Sequence, residues 1–442
     1  MTDQQVAAGK PPQAAGTARQ HEQRRRAVVA ACIGNFIEYY DFVVYGYFAA
    51  VISTLFFPTE DPAASLLLTF AAFAVSYAAR PLGAIIFGHL GDKYGRKTPL
   101  AVAILLIAFS TTVIGLMPTY AQIGIAAPIV LTLARTIQGI SVGGEYGGAT
   151  SFISEYAPDN RRGYYTGWQT FTIGLALFTG GAVATLMTNG LSEQALHSWG
   201  WRLPFLAGLP LGFVGLYLRL KLEETPFFTE AQEHQVVEKV PLLAGLRLHW
   251  RSLLVGMSLV VTPAICIYIY FIYMPTYLSK VLDYDLGTAQ AVNLISLAFY
   301  CALIPFFAKL SDRVGRRPLM IAGSVAVAIV TYPAFVLAGQ GDPVLTTVAL
   351  CAMGLAFAPH SAVMLVVVAE IFPTKLRYTG VSLSLNIPVT LLGGTAPLIA
   401  TALVATTGDN RSPALFVVAG AIVTLIGALV VRETYRARLH EV

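Results

Sequence analysis

GHLGDKYGRK at residues 88–97 returns as AKLSDRVGRR at residues 308–317. Asp92 aligns with Asp312, Gly95 with Gly315 and Arg96 with Arg316, all at an offset of 220. A second pair of stretches behaves the same way: EYAPDNRRGYYTG begins at Glu155 and EIFPTKLRYTG at Glu370, an offset of 215. In each, an acid is followed three residues later by proline, then by basic residues, then by Tyr-Thr-Gly. One such match is weak. Two at nearly one offset mark an internal duplication.

All four stretches close long apolar runs. Segments of about 20 apolar residues are long enough to cross a bilayer as helices, and they recur near 27–57, 64–90, 98–117, 122–150, 165–189, 203–220, 253–279, 288–310, 318–338, 344–369, 378–404 and 413–431. Composition agrees: 56% of the 442 residues are hydrophobic and 12% charged, against about 25% charged in soluble proteins, and the mean hydropathy is +0.65. The reading is an all-α membrane protein of twelve transmembrane helices in two pseudo-symmetric six-helix bundles. Its parts are a disordered cytoplasmic head (1–26), an N-terminal bundle (27–220), a cytoplasmic linker (221–252), a C-terminal bundle (253–431) and a cytoplasmic tail (432–442).

Lys and Arg set the orientation. The head, the tail and the loops after the even-numbered spans hold 24 of the 29, and the opposite loops hold Arg202, Lys280 and Arg411. Both termini are therefore expected in the cytoplasm. Arg80 and Arg135 fall inside spans. The net charge of +5 is scattered over short loops, so it reports topology and no nucleic-acid affinity. The N-terminus has no signal-peptide pattern. Cys32, Cys266, Cys301 and Cys351 lie in apolar spans without metal spacing, and read as small packing residues. No Walker loop, HExxH or nucleophile–base constellation is visible, so neither an enzyme nor ATP-driven chemistry is indicated.

The repeated loops resemble the signature loop of the major facilitator superfamily, with Ala308 where that pattern starts with glycine. GNFIEYYDF (34–42), ARPLGAIIFG (79–88), RTIQGISVGGEYGG (135–148), WGWRLPF (199–205), LEETPFF (222–228) and IFPTKLRYTG (371–380) resemble its metabolite:proton symporter family. Within it, VGLYLRLKLEETPFF, YMPTYLS and SDRVGRRPLMIAGSVAVAIVTYPAFVL are similar to proline/betaine carriers, and YYTGWQ and the stretch 393–413 to citrate–proton symporters. The resemblance implies the major facilitator fold and proton-coupled uptake by alternating access, at a site between the halves near mid-membrane. It implies a functional monomer in the plasma membrane, driven by the proton gradient without a cofactor. The substrate would be a small carboxylate-bearing metabolite, foremost a zwitterion of the proline or glycine betaine type. Di- or tricarboxylates such as 2-oxoglutarate and citrate, or shikimate-type acids, are the alternative. Drug–proton efflux is less favoured, because the fifth span has no proline. Osmotic regulation through a long coiled-coil tail is not carried over.

Ionisable groups inside a span cost about 2.5–3.5 kcal/mol each on insertion scales, so they point to function. Glu38 and Asp41 share a helix face with Asn35 and Tyr45, and either acid is a candidate proton site, with Arg135 in the coupling motif. Arg80 presents a bidentate fork to a substrate carboxylate or neutralises Asp41. Gln138, Tyr270, Tyr273 and Asn386 are candidate cavity residues, the tyrosines as a wall for a quaternary ammonium. Glu145 reads as an ion-pair partner, and His360 as packed. Asp92, Arg96, Glu155, Arg162, Asp312, Arg316, Glu370 and Arg377 are expected to gate the cytoplasmic side.

Overall fold

The computed structural model describes residues 13–95, 97–221, 247 and 249–435. Eleven stretches of the described residues are long and apolar enough to cross a membrane. They are α2 (Leu67–Gly91 within Pro62–Tyr94), α3 (Lys97–Leu116), α4 (Ala126–Tyr156), α5 (Arg162–Gly190), α6 (Glu193–Leu220), α7 (Trp250–Lys280), α8 (Leu286–Val314), α9 (Arg316–Ala338), α10 (Pro343–Glu370), α11 (Arg377–Thr407) and α12 (Ser412–Val430). Ahead of them runs α1 (Gln13–Tyr47), continued by Ala49–Phe56.

The duplication seen in sequence is a duplication in packing. In the first half α2 packs on α4, α1 on α5, α3 on α4 and α3 on α6; in the second, α8 packs on α10, α7 on α11, α9 on α10 and α9 on α12. The halves meet through α5 against α8 and α2 against α11, a pair of contacts that a two-fold exchange of the halves interconverts. The motif glycines play one role twice. Gly95 and Gly315 turn the chain between α2 and α3 and between α8 and α9 with φ of +97° and +107°, where a side chain would be strained.

Local chemistry sets several boundaries. Asp285 caps α8 by accepting the Thr288 N–H at 3.0 Å. Asp342 caps α10 through the Val344 N–H at 2.8 Å, with Pro343 in the first turn, where its missing N–H costs nothing. The fourth span starts at Ala126 rather than 122, because Gly124 at φ +58° interrupts the chain after the short helix Tyr120–Ile123. The sixth starts earlier than 203, as α6 begins at Glu193 and runs through a π turn at Leu196–Gly200, and Trp201 is buried between Phe56 and Phe205. The head expected to be disordered to residue 26 is helical from Gln13; residues 1–12, most of the linker and residues 436–442 lie outside the described set. The tail residue Glu433 accepts the backbone N–H groups of Arg316 and Arg317 at 2.9 and 3.0 Å, capping α9. All four cysteines are free thiols.

One helix crossing positions the site. A Cβ on Gly139 would strike the Ser76 carbonyl, and one on Gly143 the Arg80 carbonyl. Glycine there lets α4 lie directly on the α2 backbone, which fixes Arg80 against the centre of the first half.

Candidate functional site

The polar stripe of α1 faces inward. Asn35, Glu38, Asp41 and Tyr45 are at most 2% exposed. Asp41 meets Arg135 of α4, Oδ2 to Nη1 at 3.4 Å. The same Nη1 donates to Gln138 Oε1 at 2.9 Å, and Gln138 Nε2 donates to Thr111 of α3 at 2.9 Å. The Arg135 guanidinium lies over the rings of Tyr45 at 4.2 Å, Phe42 at 4.7 Å and Phe73 at 5.3 Å. Gln138 thus positions Arg135.

Arg80 is held differently. Its guanidinium lies 4.2 Å from the Tyr77 ring centroid and 4.5 Å from that of Phe42, while none of its three nitrogens has a hydrogen-bond partner. Both oxygens of Glu38 are likewise unpartnered. Glu38 and Arg80 are fully buried and within electrostatic reach of each other, yet no ion pair joins them. Rings surround them. Tyr268 of α7 donates to Tyr77 Oη at 2.7 Å across the halves, the two rings meeting edge-on at 5.5 Å. Tyr39 and Tyr146 pack edge-on at 5.8 Å, and both phenols sense the Glu38 charge. The centre of the molecule therefore holds one engaged acid–guanidinium pair and, beside it, an acid and a guanidinium left without hydrogen-bond partners among aromatic rings. Asp41 takes Arg135 as its partner, so the expectation that Arg80 neutralises Asp41 gives way to this pairing.

The second half contributes other residues than expected. Tyr270 shares a hydrogen bond with Thr331 of α9 at 2.5 Å and packs on Phe357, pointing into its own half. Tyr273 accepts from Thr401 of α11 at 3.4 Å. The cause is a π turn at Ile267–Tyr273, following Pro263. Its wider turn takes Tyr270 and Tyr273 out of ordinary helical register, while Tyr268, at the start of the turn, bonds Tyr77 at the centre. Asn386 donates to the Gly143 carbonyl at 2.9 Å and to Ser382 O at 2.8 Å, so it ties α11 to α4; its Oδ1 is unpartnered. His360 is packed, with Nε2 2.9 Å from Leu259 O. Sequence reasoning passed over Tyr77 and Tyr146, and gave Tyr268, one of the seventh-span tyrosines, no cavity role. The first carried a readable signal, an aromatic residue three positions before a buried arginine.

At the face bearing the repeated loops, charges from both halves interlock. Arg162 donates to Glu370 Oε1 at 2.6 Å, and Arg377 to Glu155 Oε1 at 3.1 Å. Asp312 accepts the Gly163 and Tyr164 N–H groups at 3.0 and 2.8 Å and pairs with Arg316 at 2.8 Å. Arg316 lies 3.7 Å from Glu370, whose other oxygen accepts from Thr434 at 2.5 Å. Asp92 stands in the last turn of α2; Arg96 is outside the described residues. Hydrogen bonds between the halves continue from this latch up to Asn293 Nδ2–Tyr47 Oη at 3.4 Å, two turns into α8.

Residues 27–243 and 229–442 match the family of sugar (and other) transporters. The chain is 38% identical over 419 residues to a glycine betaine/proline/ectoine/pipecolic acid transporter of Dickeya dadantii (strain 3937), covering 93% of this chain and 83% of that one. It is 37% identical over 419 residues to a proline/betaine transporter of Escherichia coli (strain K12), covering 93% and 84%. Among solved structures, the proton:xylose symporter of the major facilitator superfamily, bound to 6-bromo-6-deoxy-D-glucose, superposes with a TM-score of 0.77 at 18% identity, over 96% of this chain and 98% of that one. The xylose transporter from E. coli in a partially occluded inward open conformation gives 0.73 at 18%, over 93% and 99%.

Proposed function

Since the chain belongs to the sugar (and other) transporter family, we propose that it is a proton-coupled symporter importing small zwitterions of the proline/glycine betaine type across the plasma membrane. Both termini lie in the cytoplasm, and one chain suffices, because a single chain encloses the whole site. The observation that carries this reading is the open pair Glu38 and Arg80. Five buried polar atoms on two opposite charges have no hydrogen-bond partner. An unpaired buried charge is destabilising by several kcal/mol, a cost that a ligand of complementary charge removes. A zwitterion does so for both at once. Its carboxylate takes the Arg80 fork, and its ammonium sits by Glu38 against the faces of Tyr39, Tyr146 and Tyr268, where cation–π attraction holds even a fully methylated nitrogen. The relatives named for proline and betaine support the same substrate class.

A di- or tricarboxylate fits less well. It would bring a second negative charge toward Glu38, and Arg135 is already engaged with Asp41. Coupling belongs to that pair. With Asp41 ionised, Arg135 is neutralised; with Asp41 protonated, Arg135 is released to Gln138 and the ring wall. The protonation state thereby sets which packing of α1 on α4 is favoured. The interlocked charges at the basic, cytoplasmic face hold the arrangement seen here closed on that side and must break for release inward. Binding of betaine and proline to purified protein by calorimetry, with citrate and 2-oxoglutarate as comparators, tests the substrate assignment. Heat from citrate alone would overturn it.

A further inference from the structure

A second buried acid–base pair lies outside the mechanism above. Glu145 of α4 pairs through Oε1 with Arg219 Nη2, in the last turns of α6. Both residues are buried, at 0% and 2% exposure. The pair is wedged against α1: a Cβ on Gly34 would strike both Glu145 Oε1 and Arg219 Nη2. Gly34 precedes Glu38 by four residues, about 6 Å along the helix. Glu145 therefore stands one turn below the open carboxylate of the substrate site, within reach of its charge. Arg219 stands two residues before Lys221, at the basic face.

Two features separate this pair from an ordinary structural one. Glu145 Oε2 has no partner, and neither has the nearby Asn35 Nδ2. The repeat supplies an internal comparison. At the offset of 215 that relates Glu155 to Glu370, Glu145 corresponds to His360. That residue is closed by contacts to Leu259 O at 2.9 Å, Ser324 Oγ at 3.3 Å and Met320 O at 3.4 Å. The same slot is thus satisfied in one half and half-open in the other. The charged groups within electrostatic reach of Glu145 are Arg219 from α6 and Glu38 from α1. Cys32 of α1, bonded to Thr172 of α5, lies within reach of Arg219, Gln169 of α5 donates to Asn35, and Ile104 of α3 borders Gly34 beside the pair.

We infer that Glu145 and Arg219 form a second proton station, between the substrate site and the basic face. The proposal rests on the proton-coupled reading above. After the substrate ammonium has left, the proton carried by Asp41 passes through the Glu38 carboxyl, three residues away on α1, by a rotamer change or one bridging water, to the Glu145 carboxylate. Asp41 is left an anion paired with Arg135, Glu38 returns to its anion, and Glu145 becomes neutral and loosens from Arg219. Glu145 then gives the proton to water at the basic face and pairs with Arg219 again. One proton moves, and no other bond changes.

The test uses full-length protein in liposomes with radiolabelled glycine betaine and a pH dye trapped inside. At an inside-alkaline gradient of about one pH unit, one coupled proton sustains roughly tenfold accumulation. For Glu145→Gln and for Glu145→Gln/Arg219→Gln, the expected result is accumulation near unity and no substrate-induced acidification, while exchange of labelled for unlabelled betaine persists. The double variant leaves no stranded charge, so it carries the test if the single one misfolds. Double-variant vesicles that accumulate and acidify as wild type would reduce the pair to a structural role and overturn the inference; so would loss of exchange together with accumulation. Wild-type vesicles that accumulate betaine without acidifying would instead overturn the proton-coupled reading.

Discussion

Replacing Arg80 with glutamine should separate ligand affinity from fold stability. The guanidinium makes no hydrogen bond in the ligand-free protein, so the substitution breaks none. It removes a buried charge, worth about 2.5–3.5 kcal/mol of relief on insertion scales, and forfeits two ring contacts, to Tyr77 at 4.2 Å and Phe42 at 4.5 Å, of about 0.5–2 kcal/mol each. These nearly cancel, so the melting temperature of the ligand-free protein should hold or rise slightly. Binding should behave otherwise. Losing a charge-assisted fork to the substrate carboxylate, with glutamine keeping one weaker bond, costs about 2–4 kcal/mol, or roughly 30- to 700-fold in Kd at tenfold per 1.4 kcal/mol. Calorimetric titration of betaine and scanning fluorimetry on the same preparations read both quantities. A variant that melts well below wild type yet binds betaine with unchanged Kd would refute the reasoning, since Arg80 would then be structural.

Other outcomes follow from the same geometry. Asp41→Asn should abolish uphill uptake while leaving exchange measurable, because Arg135 keeps its 2.9 Å bond to Gln138; counterflow against gradient-driven uptake checks this, and uptake still following the pH gradient would move the proton site to Glu38. Arg162→Gln breaks the buried contact to Glu370 at 2.6 Å while Arg316 and Thr434 stay beside that carboxylate, so at about 1.5–3 kcal/mol for one charge-assisted hydrogen bond it should favour opening of the basic face. Thiol labelling of a cysteine introduced at Ala308 on that side should then rise at least about tenfold; unchanged labelling would remove the latch role. Tyr268→Phe loses only the bond to Tyr77, about 0.5–1.5 kcal/mol, whereas Tyr268→Leu also removes the ring and should weaken betaine more than proline in competition assays. Equal losses for the two substrates would exclude the cation–π contact.

Much of this architecture was open to reading from the chain alone because the duplicated loops carry it. Asp312 and Arg316 of the repeat, with Glu155, Arg162, Glu370 and Arg377, are polar residues flanking apolar runs, and their pairing across the halves follows from two halves closing on a shared axis. Glu38, Asp41, Arg80 and Arg135 were visible as charges where charge is costly. Their pairing was not. Whether Arg80 or Arg135 reaches Asp41 depends on the rotation of α2 and α4, which Gly139 and Gly143 set through backbone contact and which periodicity cannot supply. The tyrosines of α7 failed for a sharper reason. A π turn changes the residues per turn within the segment, so extrapolating an ordinary helix selected Tyr270 and Tyr273 where the structure presents Tyr268. Arg219 looked like a loop charge because α6 ends one residue later, at Leu220; only the fold turns its side chain inward to Glu145.

The most direct test of the central claim is accumulation of radiolabelled proline by the purified protein in liposomes under an inside-alkaline pH gradient. Accumulation that collapses with a protonophore, and that excess betaine suppresses while citrate and 2-oxoglutarate do not, is the expected result. Accumulation indifferent to the protonophore, or suppressed by citrate and untouched by betaine, would contradict it.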